Sequence, residues 1–104
     1  MRKAEREAKN RPTVADILGP GLRSLHKRSQ TVAFSKLGYP DRKMLVAGSV
    51  VYSWVNNDTN RDGSALTCSV KLIVRRNLVV DSDFHGNSGA CEYYARRFNP
   101  SFKL

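Results

Sequence analysis

Apolar and polar residues alternate along residues 66–75, and this pattern predicts a strand. One face is formed by alternate apolar residues, namely Leu66, Cys68, Val70, Leu72 and Val74. The other face is formed by Thr67, Ser69, Lys71 and Arg75, and only Ile73 interrupts it. Because successive side chains of a strand point to opposite faces, we expect the apolar face to be buried and the row of hydroxyls and cations to face outward.

A second strand is predicted over residues 44–55. Its bulky face consists of Met44, Val46, Val50, Tyr52 and Trp54, and its other face carries Ser49 and Ser53. The polar residues 56–64 end in Asp62-Gly63, a strong turn signal, and lead to a strand that runs from residue 65 to about residue 80. A bulge near residues 76–77 would be one interruption of that strand. These segments predict a long antiparallel hairpin.

A helical segment is predicted near the N-terminus. Thr13 and Asp16 have the spacing of a capping box, and an apolar face follows them to about residue 29. Residues 19–21, Gly-Pro-Gly, predict a break or a kink, because proline lacks a backbone donor and glycine is entropically costly in a helix. The helix would therefore lay one side on the sheet and present cations on the other.

Three further segments complete the prediction. Residues 31–37 alternate and predict a short strand, whereas residues 81–89 predict a loop. In residues 89–99, Cys91, Tyr94, Ala95 and Phe98 recur at helical spacing. This spacing predicts a last helix that Ser88 would cap, with a strand as the alternative because Tyr93 and Tyr94 are adjacent.

These elements predict an α+β fold. It would be a small, mainly antiparallel sheet built on the hairpin of about residues 44–55 and 65–80, with an N-terminal helical segment and a C-terminal helix or strand. Its predicted core is Val46, Val50, Tyr52, Trp54, Leu66, Val70, Leu72 and Val74. The 104 residues are enough for one domain, residues 12–104, preceded by a basic arm, residues 1–11.

The net charge of the chain indicates a class of binding partner, which the pattern of strands and helices alone does not. The chain carries a net charge of +9 and has a pI of about 10.1, which favours a nucleic-acid partner, with RNA preferred to DNA. The predicted contact residues are Arg2, Lys3, Arg6, Lys9, Arg11, Arg23, Lys27, Thr67, Ser69, Lys71, Arg75, Arg96 and Arg97. Tyr52 and Trp54 belong to the opposite face, so contact with phosphate and hydroxyls is expected in preference to serial base stacking.

Each part of this candidate surface has a purely structural interpretation. A half-exposed sheet is usually polar on its outer side, and a charged arm without an apolar stripe is often a solvated tail. Residues 93–98 interleave aromatics with cations, which suits stacking on bases. The same pattern fits an amphipathic helix in which Tyr94 and Phe98 are buried while Arg96 and Arg97 are solvated.

Catalytic and metal-binding motifs are weak, so neither an enzyme nor a cofactor is expected. Residues 86–89 resemble the nucleophile turn of chymotrypsin-like serine proteases, but the chain is too short for their two barrels. Residues 58–63 match the first half of a calcium loop, but Ser69 stands where the pattern requires glutamate. The histidines and cysteines, His26, His85, Cys68 and Cys91, lack the spacing of zinc ligands.

Three functions follow as hypotheses. The leading one is non-enzymatic nucleic-acid binding through the sheet face and the arm. The second is a self-assembling viral or phage coat or accessory subunit that contacts the genome; RNA-phage coat proteins offer a parallel in architecture, although their two C-terminal helices are missing here. The third is a small interaction module or inhibitor that binds an acidic protein surface. Exposed sheet edges favour a homo-oligomer or a larger assembly.

The expected compartment is the cytoplasm, or a particle assembled there, rather than the exterior. The sequence shows neither an apolar run long enough for a bilayer nor the apolar region of a signal peptide. Cys68 and Cys91 are therefore expected to be reduced thiols, with a bridge between them as the alternative.

Overall fold

The computed structural model describes residues 12–103, and the predicted basic arm lies outside this range. Within it, three helices and a four-stranded antiparallel sheet are formed. The helices are α1 (Val14–Arg23), α2 (Gln30–Leu37) and α3 (Ser88–Phe98); the strands are β1 (Arg42–Val46), β2 (Ser49–Thr59), β3 (Ala65–Arg75) and β4 (Leu78–Gly86). The strands lie side by side in chain order, β1-β2-β3-β4. The α+β prediction is confirmed.

The long hairpin of β2 and β3 is confirmed, with a shorter loop than the sequence predicted. Ser53 lies opposite Lys71, and Trp54 lies opposite Val70. β2 continues to Thr59, so only the residues that follow it form the turn. The Asp62 carboxylate accepts hydrogen bonds from both the backbone and the hydroxyl of Ser64, which holds this turn in place.

The prediction of one strand over residues 44–55 is wrong. Ala47 and Gly48 both have positive φ, 46° and 81°, and form a two-residue turn that separates β1 from β2. In the resulting register, Met44 lies opposite Val51 and Val46 lies opposite Ser49. The turn therefore places Met44 and Val46 on the face opposite Tyr52. Val46, predicted as core, is 47% exposed.

The prediction of one strand from residue 65 to about residue 80, followed by a loop, is also wrong. Arg76 and Asn77 have φ of 51° and 67° and form a second two-residue turn, after which β4 runs back along β3. The register of β4 shifts between Ile73 and Val74 of β3, which leaves Val80 as an extra residue in a bulge. The bulge therefore lies in β4 rather than at the turn.

The predicted short strand over residues 31–37 is wrong, because these residues belong to helix α2. The Ser29 hydroxyl accepts a hydrogen bond from the backbone of Val32 and caps the helix. Ala33 and Leu37, one turn apart, are its buried residues. The alternation in this segment was too short to distinguish a strand from two helical turns.

Helix α1 begins as the sequence predicts and continues where a break or a kink was expected. The Thr13 hydroxyl accepts from the Asp16 backbone at 3.2 Å, and the Asp16 carboxylate accepts from the Thr13 backbone at 2.9 Å, so the capping box is confirmed. The helix passes through Pro20. Gly21 is required there, because a Cβ at this position would overlap the ring of Phe98 in α3.

All three helices pack on one face of the sheet. Helix α3 confirms the helical reading of the C-terminal segment, although Asn87 rather than Ser88 occupies the N-cap position. The buried cluster between the layers includes Leu18 and Leu22 of α1, Trp54 of β2, Leu72 of β3 and Tyr94 of α3. No helix within residues 12–103 has the length and apolar character that a membrane crossing requires.

Cys68 and Cys91 form a disulfide in this core, so the expectation of reduced thiols is wrong. The bond joins β3 to α3, and the two Cα atoms are 5.0 Å apart, within the range that a disulfide spans. Both residues are buried. The sequence pattern placed Cys68 on the apolar face, but it could not show that α3 would bring Cys91 against it.

Candidate nucleic-acid interface

The sheet face without helices is the candidate interface, and we call it the open face. It carries the odd-numbered side chains of β2 and β3 and the even-numbered side chains of β1. The register forms one row across all four strands: Arg42, Ser53, Lys71 and Asp83. A second row is formed by Met44, Val51, Ile73 and Asp81. A third row joins Val46 with Ser49 and Arg75 with Leu78, and the side chains of Ser49 and Arg75 hydrogen-bond to each other.

Three cations, Arg42, Lys71 and Arg75, form the positive part of the open face, and all three are exposed. Lys71 and Arg75 are four residues apart on β3, about 13 Å along the strand. Arg42 lies two strands away from Lys71, about 10 Å across the sheet. The three side chains therefore outline a triangle of positive charge.

Arg75 is held in place by a hydroxyl. Its Nε donates to the Ser49 Oγ at 2.6 Å, and Ser49 itself is only 5% exposed. This contact leaves the terminal nitrogens of the guanidinium as donors to an incoming anion. Ser53, half-buried between Arg42 and Lys71, places a further hydroxyl within the triangle.

Thr67 and Ser69 continue the open face toward the far end of the hairpin. The Thr67 hydroxyl donates to the Asn57 side-chain oxygen at 3.2 Å, so its proton is already in use and its lone pairs remain as acceptors. Ser69 is half-buried between Val55 and His85. Of these two predicted contacts, Thr67 is therefore the weaker donor to phosphate.

β4 brings two carboxylates to the open face that sequence reasoning missed. Asp83 lies opposite Lys71, and Asp81 lies opposite Ile73. The sequence predicts a loop over residues 81–89, and a loop gives no indication that these carboxylates lie beside the cations. Carboxylates repel phosphate, so the part of the open face that suits a polyanion extends from β1 to β3 and ends at β4.

Arg42 is the cation on the open face that sequence reasoning missed. It lies outside the strand predicted over residues 44–55, whereas in the structure it begins β1 and pairs with Ser53. The sequence signal that could have indicated the position of Arg42 is Gly48, because glycine permits the positive φ that the Ala47-Gly48 turn requires. Recognition of that turn would have changed the face assigned to every residue of β1.

The open face offers no strand aromatics of the Phe, Tyr or Trp type within residues 12–103. Tyr52, Trp54 and Phe84 all lie on the helix side, where Tyr52 and Trp54 are buried. Met44, Val51 and Ile73 give the open face an apolar middle row instead. Phosphate and hydroxyl contacts therefore suit this surface better than serial stacking of bases.

Arg96 and Arg97, also predicted contacts, lie in the helical layer rather than on the open face. The Arg97 guanidinium lies 5.5 Å from the centre of the Tyr93 ring, a cation–π contact. Tyr94 is buried behind Tyr93, and burial raises the pKa of Tyr94 to about 12. This arrangement matches the amphipathic-helix interpretation, although Arg96 and Arg97 also line a groove with Asn56 and Asn57.

Arg23 and Lys27 form a third location, at the end of α1 and in the turn that follows it. Both are exposed, the Lys27 backbone lies against the β4 edge, and His26 between them hydrogen-bonds to the Ser82 hydroxyl of β4 through Nε2. The described residues thus divide the predicted contacts among three surfaces. The five cations predicted in the arm, Arg2, Lys3, Arg6, Lys9 and Arg11, lie outside residues 12–103.

Histidine, cysteine and carboxylate side chains do not gather into a metal site anywhere in residues 12–103. Comparison of the chain with protein-family models, with curated proteins and with solved structures found no match.

Proposed function

We propose that this protein is a non-enzymatic nucleic-acid-binding protein, with RNA as the favoured ligand. The observation that carries the proposal is the triangle of Arg42, Lys71 and Arg75 on a sheet face that no helix covers. A net charge of +9 adds long-range attraction for a polyanion. Of the two expected sites of action, we propose a particle assembled in the cytoplasm, because the Cys68–Cys91 disulfide would persist at a virion surface, whereas disulfides are rare in cytosolic proteins.

Binding would rest on phosphate neutralisation. The three cations reach phosphates, while Ser53 and Ser69 supply hydroxyls to phosphate oxygens or to the ribose 2′-hydroxyl. A flat face accepts single-stranded RNA more readily than a duplex, since base edges in an A-form major groove are out of reach. The basic arm would add further contacts that weaken with salt.

The test compares two double variants that remove the same charge from different surfaces. Lys71→Ala with Arg75→Ala alters the open face, whereas Arg96→Ala with Arg97→Ala alters the helical layer. Each pair lowers the net charge by the same amount, so a difference between them reports position rather than global charge. Fluorescence anisotropy with a single-stranded RNA, measured over a range of salt concentrations, gives both affinity and salt slope.

For the open-face pair we expect affinity to fall roughly tenfold to thirtyfold near 0.1 M salt, and the salt slope to flatten by about 1.4, because each neutralised phosphate contributes about 0.7. Arg96→Ala with Arg97→Ala should change the affinity and the salt slope much less. Equal effects of the two pairs would contradict binding by the open face. Wild-type protein that binds neither RNA nor DNA at low salt would contradict the function itself.

A self-assembling coat or accessory subunit that contacts the genome is the second candidate. The exposed apolar residues of β1 favour it, because a strand of that kind at a sheet edge invites pairing with another chain. Light scattering together with the ratio of absorbance at the nucleic-acid and protein maxima distinguishes a nucleic-acid-loaded particle from a small complex. The third hypothesis, a module for acidic protein surfaces, has no such observation in its favour.

A further inference from the structure

The two edges of the sheet differ in how they are protected. At the β4 edge, the Lys27 backbone donates to the Val79 carbonyl at 2.7 Å, and the Val79 backbone donates to the Arg28 carbonyl at 2.9 Å. Asp81, Asp83 and the bulge at Val80 follow on the same strand. Charge, bulges and a covering segment are the devices by which proteins block edge pairing. The β4 edge uses all of them.

The β1 edge shows the opposite character. All five residues of β1 are exposed, and three consecutive ones are apolar: Met44 is 60% exposed, Leu45 is 76% exposed and Val46 is 47% exposed. Leu45 points to the helix side of the sheet, yet its exposure shows that the helical layer does not reach it. β1 is thus an apolar edge strand that is uncovered on both faces, the feature that proteins avoid unless the edge has a partner.

The backbone of β1 is arranged to receive another strand. Residues that flank a two-residue turn exchange hydrogen bonds, and such pairs alternate along a hairpin, so Val46, Met44 and Arg42 direct their backbone groups to β2. Lys43 and Leu45, between them, direct N–H and C=O to the outer edge. These are the groups with which a further strand would pair.

We propose that the occupant of this edge is β1 of a second copy of the chain, antiparallel about a two-fold axis at Met44. Lys43 would then exchange hydrogen bonds with the partner's Leu45, and Leu45 with the partner's Lys43. Met44 would pack against the partner's Met44, and Arg42 would lie beside the partner's Val46. The apolar side chains of each copy cover those of the other.

The charge pattern of β1 favours a second copy over another strand. Its cations, Arg42 and Lys43, stand at one end of the strand, and its apolar residues stand at the other. Antiparallel pairing therefore sets each cation against an aliphatic residue, and the stems of arginine and lysine can cover such residues. Because the β4 edge is covered at Val79 and carries the bulge and two carboxylates beyond it, pairing closes at two copies and an eight-stranded sheet instead of continuing into a filament.

The proposal is independent of nucleic-acid binding and is tested on the purified full chain. Sedimentation velocity over a concentration series measures the mass, which should approach twice 11.7 kDa as concentration rises. Leu45→Lys should weaken dimerisation at least about tenfold, because it replaces a buried contact with a charge. Val80→Lys is the matched control: it adds the same charge at the β4 edge, and we expect no change in dimerisation.

Leu45→Pro tests the backbone pairing: it removes the N–H that would donate to the partner's Lys43, so dimerisation should weaken. Proline at this position removes only an outward-facing N–H, which an edge strand tolerates, so the β1–β2 hairpin should remain. Circular dichroism and thermal unfolding check that each variant folds. A wild-type chain that stays monomeric up to about 1 mM would overturn the proposal. Equal effects of Leu45→Lys and Val80→Lys, or growth of the mass beyond a dimer, would also overturn it.

Discussion

Reduction of the Cys68–Cys91 disulfide should lower the free energy of unfolding by about 3.5 kcal/mol. The bond joins β3 to α3 across a sequence separation of 23 residues. Its main effect is to restrict the unfolded chain, because the reduced chain gains the conformations that the closed loop forbids. Applied to this separation, the chain-entropy relation gives the stated value at about 25 °C. Small domains have total stabilities of about 5–15 kcal/mol, so the loss would be large.

Urea unfolding with and without a phosphine reductant measures this loss. Trp54 is buried, so its fluorescence reports the transition. The midpoint should fall, and the dependence of the unfolding free energy on urea should steepen, because the reduced unfolded chain exposes more surface. The Cys68→Ala, Cys91→Ala double variant serves as control, since the reductant should leave its unfolding curve unchanged.

Two results would refute this reasoning. One is a stability difference of less than about 1 kcal/mol between oxidised and reduced protein, which would mean that the closed loop does not restrict the unfolded chain as the entropy relation requires. The other is alkylation of Cys68 and Cys91 in folded, unreduced protein, detected by mass spectrometry. Both sulfurs are buried and bonded to each other, so folded protein should remain unlabelled.

Three further predictions concern single residues. Gly86→Ala should lower thermal stability by the equivalent of about 2–4 kcal/mol, because Gly86 has a φ of 140° and an added Cβ would overlap the backbone of Thr67. Asp83→Asn should strengthen RNA binding about twofold at low salt, measured by anisotropy, because it removes the carboxylate opposite Lys71. Stability should fall as pH rises from about 10 toward 12, because the folded state keeps Tyr94 protonated while the unfolded chain ionises; this dependence, followed by urea unfolding, should disappear in Tyr94→Phe.

The strand that could be predicted most completely is β3. Each of its alternate apolar residues faces the helices, and its other face is open. A strand with one buried face has a clear period-two pattern, so the sequence predicts it well. The capping box of α1 was equally readable, because its geometry depends only on Thr13 and Asp16. Elements whose signal is local and whose environment has one buried side can be predicted from sequence.

The two wrong strand predictions, over residues 44–55 and residues 65–80, have the same cause: each overlooked a two-residue turn. Ala47 and Arg76 adopt positive φ although neither is a residue that favours it, so neither turn carried the usual Asn-Gly or Asp-Gly signal. A missed turn inverts the faces of the strand that precedes it, as it did for β1. Both errors affected the predicted binding surface. Arg42 was missing from its cations, and the negative charge of Asp83 beside Lys71 was not considered.

Pairing through β1 would also change how the open face works. Arg42 and Met44 lie nearest the two-fold axis, so the open faces of two copies would join into one surface on which a polyanion can contact both. By linkage, a polyanion that spans the axis tightens the dimer by the same factor by which dimerisation tightens binding. Salt affects dimerisation and nucleic-acid binding in opposite ways. It screens the repulsion between two chains of charge +9 and so favours dimerisation, but it weakens the contacts with phosphate. At low salt, free copies repel one another and the polyanion neutralises both, so two copies would pair after they bind the nucleic acid rather than before.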